Sequence, residues 1–203
     1  MGGTQSEVKY VLLYGLKGCG KTLMLYNLHA KIKIFETDNK NKSSGPAPTE
    51  GFNYEEKKIG NYKLGIFDVS GDPMQYDILS IITRSVNISG IIFMVSLDQL
   101  DELKEAQQAL KLLLSNEFFT KKLSLFVLYN RSSENKESWE WMSKELFNKQ
   151  MKLDYIQENF KIKYIESCFH DCSICEISLN EQEQISTKLK EFANSLDENY
   201  KQD

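Results

Sequence analysis

Eight residues near the N-terminus, Gly15-Leu16-Lys17-Gly18-Cys19-Gly20-Lys21-Thr22, leave few folds open to this chain. The pattern G-x-x-x-x-G-K-[ST] carries meaning only between a strand and a helix. Val8–Tyr14 supplies an apolar, β-prone run before it, and a helix is expected after Lys21. In that setting the glycines let the main chain wrap an anion, with successive N–H groups from Gly15 through Lys17, Gly18, Cys19 and Gly20 turned toward it. Lys21 then reaches the β- and γ-phosphates of a nucleotide, and the Thr22 hydroxyl ligates Mg²⁺.

The rest of the chain alternates as a parallel sheet requires. Short apolar runs at Lys63–Val69, Gly90–Ser96, Leu123–Asn130 and Lys163–Phe169 suit strands buried on both faces. Leu97, Leu100, Leu103, Leu110 and Leu114 recur at helical spacing, as do Ile185, Leu189, Phe192 and Leu196, and a further helix is expected over Ser138–Asn148. Such alternation implies right-handed crossovers and a doubly wound α/β domain. The 203 residues suffice for one such domain, read here as 8–197 between a flexible 1–7 and a frayed 198–203. Thr37–Pro48 (TDNKNKSSGPAP) breaks the rhythm and reads as a mobile polar loop over 37–48.

Composition narrows the function classes. With 25 basic against 29 acidic residues, net −4, the chain lacks the concentrated basic surface of a nucleic-acid binder, so no nucleic-acid partner is expected. No apolar run approaches a membrane span, and the first residues lack the apolar core of a secretory signal. A soluble, cytoplasmic protein with reduced thiols is expected. Met1-Gly2-x-x-x-Ser6 fits N-myristoylation at Gly2, with a chance match or a cloning remnant as the competing explanation. One acyl chain beside a single base, Lys9, would give only weak, reversible membrane association.

Cys168, His170, Cys172 and Cys175 bring four metal-capable side chains close together, but structural zinc sites usually join two pairs from separated segments, so free thiols are the preferred reading. Cys19 reads as a small residue that fits the phosphate loop rather than a redox-sensitive point. Trp139 and Trp141 cannot share one face of a helix, which leaves one of them for a protein interface. Met142, Leu146 and Phe147 read as core.

Two further motifs make the chain recognisable. Pro48-Thr49-Glu50-Gly51-Phe52-Asn53 resembles the switch I signature P-T-x-G-F-N of the ADP-ribosylation-factor (Arf-like) family of small GTPases. Asp68-Val69-Ser70-Gly71 resembles that family's D-V-G-G entry to switch II, with an interswitch hairpin of the family's length between them. The resemblance covers nearly the whole chain. It implies an α/β P-loop NTPase of Ras-like form: a six-stranded, mainly parallel sheet with helices on both faces and one antiparallel edge strand from the hairpin. It also implies that Thr49 ligates Mg²⁺ and senses the γ-phosphate, that Asp68 holds the metal through water, and that the Gly71 N–H bonds the γ-phosphate. GTP or GDP with Mg²⁺ would be the ligand, and protein partners would dock on the switch regions.

The departures from the family are as informative. Asp72 stands at the position of the catalytic glutamine; a carboxylate cannot donate to a phosphate oxygen while accepting from water, and its charge opposes the phosphate's. Lys17 puts bulk beside the γ-phosphate seat. The family's N-K-x-D becomes Asn130-Arg131-Ser132-Ser133: Asn130 can still hold the loops and Arg131 can stack on a base, but Ser133 cannot bond guanine in a bidentate manner. The C-A-T loop becomes Cys168-Phe169-His170, where Phe169 would close over the base or fill its pocket. The stretch between Thr22 and Thr49 is longer than the family's, a change that costs little in a surface loop.

The leading expectation is therefore a divergent Arf-like protein that binds nucleotide and Mg²⁺, hydrolyses slowly or not at all, and serves as a protein-binding module or a subunit of a larger assembly. Another nucleotide, or none, stays open as the ligand. The alternative is an active GTPase switch in membrane or ciliary traffic, with a ciliary, cytoskeletal or peripheral-membrane location. A nucleotide-phosphate kinase is disfavoured, since the lid and arginine clusters it needs are absent from the sequence.

Overall fold

A computed structural model of the chain describes residues 7–27, 49–72, 76–97, 102–117, 119, 122–131, 143–171 and 179–197. In chain order the elements are β1 (Val8–Gly15), α1 (Lys21–Asn27), β2 (Phe52–Ile59), β3 (Tyr62–Val69), α2 (Tyr76–Ser85), β4 (Ile88–Ser96), α3 (Leu103–Leu114), β5 (Leu123–Arg131), α4 (Lys144–Met151), α5 (Leu153–Asn159), β6 (Ile162–Asp171) and α6 (Leu179–Ser195). The six strands form one sheet in the order β2-β3-β1-β4-β5-β6. Every neighbouring pair is parallel except β2–β3, an antiparallel hairpin in which Asn53 lies opposite Asp68 and Ile59 opposite Tyr62.

The continuous apolar runs follow from this layering. Leu12, Tyr14, Phe67, Ile91 and Phe93 face one side of the sheet and pack under α2, α3, α4 and α5. Val11, Leu13, Leu64, Ile66, Ile92 and Phe126 face the other, under α1 and α6. A strand covered on both faces has no polar side to show, hence the loss of alternation in the central strands. This is the Ras-like P-loop architecture expected above. Among the described residues no helix is long and apolar enough to cross a membrane.

Some boundaries move. Leu97 does not open a helix, because its N–H donates across the sheet to the Asn130 carbonyl at 2.7 Å, and α3 starts only at Leu103. Of the helix expected over Ser138–Asn148, the described part is α4, which begins after the N-cap Ser143 and runs on to the buried Met151. Helices α2 and α5 were not predicted; α5 follows α4 after one left-handed residue, Lys152, at φ 53°. Gly2, Leu100, the Thr37–Pro48 loop, Ser132, Ser133, Trp139, Trp141, Met142, Cys172, Cys175 and the 198–203 tail lie outside the described residues.

Candidate functional site

The C-terminal ends of β1, β3, β4, β5 and β6 converge on the Gly15–Thr22 loop, where ligands sit in open α/β sheets. Gly15 closes β1 at φ 152°, against β4: a Cβ added there would lie 2.2 Å from the Met94 carbonyl oxygen. The Lys21 side chain is buried and its Nζ donates to the Gly15 and Leu16 carbonyls, each at 3.0 Å, with the Cys19 sulfur at 3.8 Å. The ammonium is thus held inside the loop it would serve. Burial pushes the Cys19 thiol above its ordinary value, against the pull of Lys21, so it is a neutral small residue and not a reactive thiolate. Asn130 Nδ2 donates to the Cys19 carbonyl at 2.9 Å and ties the end of β5 to the loop, as its expected role requires.

The three residues assigned to the metal come together from three segments. Thr22 Oγ1 donates to Asp68 Oδ2 at 2.7 Å and lies 2.9 Å from Thr49 Oγ1. Since the single Thr22 proton goes to Asp68, Thr49 is the donor in the second bond. Asp68 is fully buried, and its Oδ1 has no hydrogen-bond partner among the described residues. Two hydroxyls and a carboxylate with an unused oxygen form a hard oxygen set that suits Mg²⁺. Burial raises the Asp68 pKa, with the Thr22 bond and Lys21 opposing and Glu55 adding to the rise.

A carboxyl raised in the folded state contributes stability below its unfolded value, near 3.8, and loses it as pH climbs through the folded value. Asp68→Asn is therefore expected to stabilise the metal-free chain at pH 7 by about 1 kcal/mol, a gain that disappears near pH 4. Thermal denaturation at the two pH values checks this. In the same assay Mg²⁺ should raise the melting temperature of the wild type and not of the variant.

Gly71 packs directly on the phosphate loop: a Cβ there would lie 2.4 Å from the Gly15 oxygen and 2.5 Å from the Lys17 nitrogen. Asp72 follows at this junction, its N–H donating to Ser70 Oγ at 3.3 Å, and Lys17 stands exposed on the lip of the loop. Positions 17 and 72 thus flank the contact between Gly71 and the phosphate loop. Gly18, at φ 81°, faces open space.

The base end differs from expectation. Strands were expected over Leu123–Asn130 and Lys163–Phe169, with the C-A-T equivalent at Cys168-Phe169-His170. Both strands run on, and the ladder pairs Tyr129 with Phe169, Asn130 with His170 and Arg131 with Asp171. Aromatic Tyr129 and Phe169 are strong strand formers and extend the pairing. The side chains of Arg131, Phe169 and His170 and all of Ser133 lie outside the described residues. Cys168 is half-buried and its thiol is pushed up to about 12, chiefly by burial, which favours the inert-thiol reading. No cluster of three metal-capable side chains of the His, Cys, Asp and Glu types occurs among the described residues.

One feature of the switch region escaped the sequence reading. On the face of β2–β3–β1 away from α1, Phe67 is ringed by Tyr54 at 4.9 Å, Phe52 at 5.9 Å and Tyr10 at 6.2 Å between centroids. Phe52 is 45% exposed and Tyr54 42%. Desolvation and the neighbouring Glu56 push the Tyr54 phenol up to about 12, so it stays a donor to Glu56, at 3.1 Å. The alternation of Phe52 and Tyr54 was the available signal.

A six-stranded sheet of this order, with a phosphate loop after β1 and two threonines and an aspartate gathered beside it, defines a Ras-like P-loop NTPase. The family profile described as the ADP-ribosylation factor family matches residues 1–194. The chain belongs to that family of small GTP-binding proteins. It is 25% identical over 134 residues to an ADP-ribosylation factor-like protein of Dictyostelium discoideum, an alignment covering 66% of this chain and 71% of that protein. Among solved structures it resembles the Arl6 (BBS3) small GTPase of Trypanosoma brucei with bound GppNp, at TM-score 0.65 and 13% identity over 91% of this chain and 98% of that one. It also resembles a chain of the mammalian SRP receptor, at TM-score 0.63 and 15% identity over 91% and 100%. At those identities the two structural likenesses speak for the fold alone.

Proposed function

We propose that this protein binds a guanine nucleotide with Mg²⁺, hydrolyses it slowly or not at all, and works as a protein-binding module or fixed subunit of a larger assembly. The observation that carries the reading is the contrast within one site. Lys21, Thr22, Thr49 and Asp68 are arranged to take phosphate and metal, while the residue following Gly71 is Asp72. Thr22, Thr49 and Asp68 would hold Mg²⁺, which would supply charge neutralisation to the phosphates. Lys21 would hold the β- and γ-phosphates, and Asn130 would keep the loop in register with β5. Asp72 as a carboxylate cannot donate to the γ-phosphate and would repel it.

The exposed Phe52 and Tyr54 rings, tilted against the buried Phe67, support the protein-binding part, since an aromatic patch beside a switch is a typical anchor surface. We place this activity in the cytoplasm, with reversible membrane contact only where Gly2 is acylated.

Two measurements test the proposal. Chromatography of the nucleotide released from gently purified protein should identify a guanine nucleotide. Asp72→Gln should then raise single-turnover GTP hydrolysis by about tenfold or more over the wild type. Protein that releases no nucleotide, and whose melting temperature ignores millimolar Mg·GTP and Mg·ATP, would rule the nucleotide-binding reading out. Rapid turnover by the wild type would rule out the slow-hydrolysis part and favour the switching alternative.

A further inference from the structure

A buried cation lies on the inner face of the β2–β3 hairpin, close to the metal trio. In the antiparallel ladder Asn53 lies opposite Asp68, Glu55 opposite Ile66 and Lys57 opposite Leu64. Directly opposed residues share a face of the sheet, and Ile66 and Leu64 belong to the layer under α1 and α6. Glu55 and Lys57 are therefore on the side where Thr22 of α1 meets Asp68. Glu55 is the diagonal neighbour of Asp68 across the ladder, at a spacing of roughly 7–8 Å.

Lys57 is 3% exposed, and its ammonium contacts the Glu55 carboxylate, the one ion pair that Lys57 makes among the described residues. A buried ammonium is costly to leave unpaired, so it fixes the carboxylate beside it. The Glu55 charge is felt at Asp68, where it adds to the upward push on that carboxyl. Asp68 is fully buried, and its Oδ1 has no hydrogen-bond partner among the described residues. Two negative groups on one face, one of them with an unused buried oxygen, set up a field that a divalent cation relieves.

Resting on the Mg²⁺ part of the reading above, we propose that the Glu55–Lys57 pair tunes the cation site: Glu55 strengthens divalent-cation binding at Thr22, Thr49 and Asp68 through its charge, and Lys57 positions that carboxylate and moderates its pull. Glu55 acts across space and not as a ligand, because its carboxylate is held by Lys57. A unit charge about 8 Å from a divalent ion changes the ion's affinity about fivefold even at the dielectric of water, and one about 12 Å away changes it about threefold. The two charges are opposite in sign, so removing one or the other has opposite effects. A residue that merely supported the fold would weaken binding whichever partner was lost.

The full-length protein, freed of metal with EDTA, tests this by titration with Mn²⁺, read from the electron paramagnetic resonance signal of the free ion. Glu55→Gln is expected to weaken Mn²⁺ binding about fivefold and Lys57→Met to strengthen it about threefold. The double variant, which leaves no buried charge unpaired, should bind within about twofold of the wild type.

Unchanged affinity in Glu55→Gln would overturn the proposal. So would a loss of affinity in both single variants, which would mean a structural role. Asp68→Asn, run beside them, separates this inference from the reading it rests on. Binding lost in Asp68→Asn but unaltered in Glu55→Gln leaves the metal site standing and removes the tuning pair. A wild type that takes up no Mn²⁺ at 10 mM, about the weakest binding the titration resolves, overturns the tuning pair as well. The nucleotide released from the same preparation then judges the nucleotide reading on its own.

Discussion

Replacing Lys21 with alanine is expected to weaken binding of Mg·GDP and Mg·GTP by about a hundredfold or more. The size follows from where the ammonium is. Lys21 is only 6% exposed, and folding has already taken its charge out of bulk water and given it two carbonyl partners at 3.0 Å. A phosphate arriving at the loop meets a cation that needs no further desolvation or ordering, and each charge-assisted bond contributes roughly 1.5–3 kcal/mol. Arginine should not rescue the variant, since its planar fork is too large for the space between Gly15, Leu16 and Cys19. Titration with a fluorescent nucleotide decides the matter. An affinity for Lys21→Ala within about threefold of the wild type would remove the loop from the binding site.

The largest stability effect is expected at the other end of the same loop. Gly15→Ala should cost about 3 kcal/mol or more, and lower the melting temperature by about 10 °C. The new Cβ would fall 2.2 Å from the Met94 oxygen and 3.0 Å from the Cys19 sulfur, at a φ of 152° that side-chain-bearing residues rarely adopt. No rotamer relieves a clash with main chain, and Met94 is fixed opposite Gly15 in the β1–β4 ladder. Gly18→Ala is the control. Its Cβ meets nothing within 4 Å, so it carries only the conformational penalty of φ 81°, about 1 kcal/mol. Equal melting temperatures for the two variants would contradict this account.

Much of the fold is legible in local patterns. β1 is visible because a strand covered on both faces must be apolar throughout, and the loop after it because only glycine suits its backbone at 15, 18 and 20. The α3 boundary was misread because Leu97 has helical spacing to Leu100 and Leu103, yet its N–H is committed to Asn130 on another strand. Spacing reports a periodicity; it does not report where a backbone hydrogen bond goes. The base end was misjudged for a related reason: the apolar runs stop at Asn130 and Phe169, while pairing of Asn130 with His170 and of Arg131 with Asp171 prolongs both strands. Thr22, Thr49 and Asp68 could be named from their motifs, but the hydrogen bonds that join them were not readable at all.

By itself the sequence determined the class: a phosphate loop between strand and helix, followed in order by Pro48-Thr49-Glu50-Gly51-Phe52-Asn53 and Asp68-Val69-Ser70-Gly71. These are short-range statements about glycine, hydroxyl and carboxylate chemistry, and they hold before the chain folds. Tertiary structure alone decided that Thr22 meets Thr49 across 27 positions and Asp68 across 46, and that Asn130 reaches Cys19 across 111. It also decided that one oxygen of Asp68 has no partner among the described residues, and that Asn148 accepts from Tyr129 and Ser167 together. Those contacts depend on strand order and on how helices seat against the sheet. Packing of the whole core sets both, and no local pattern encodes them.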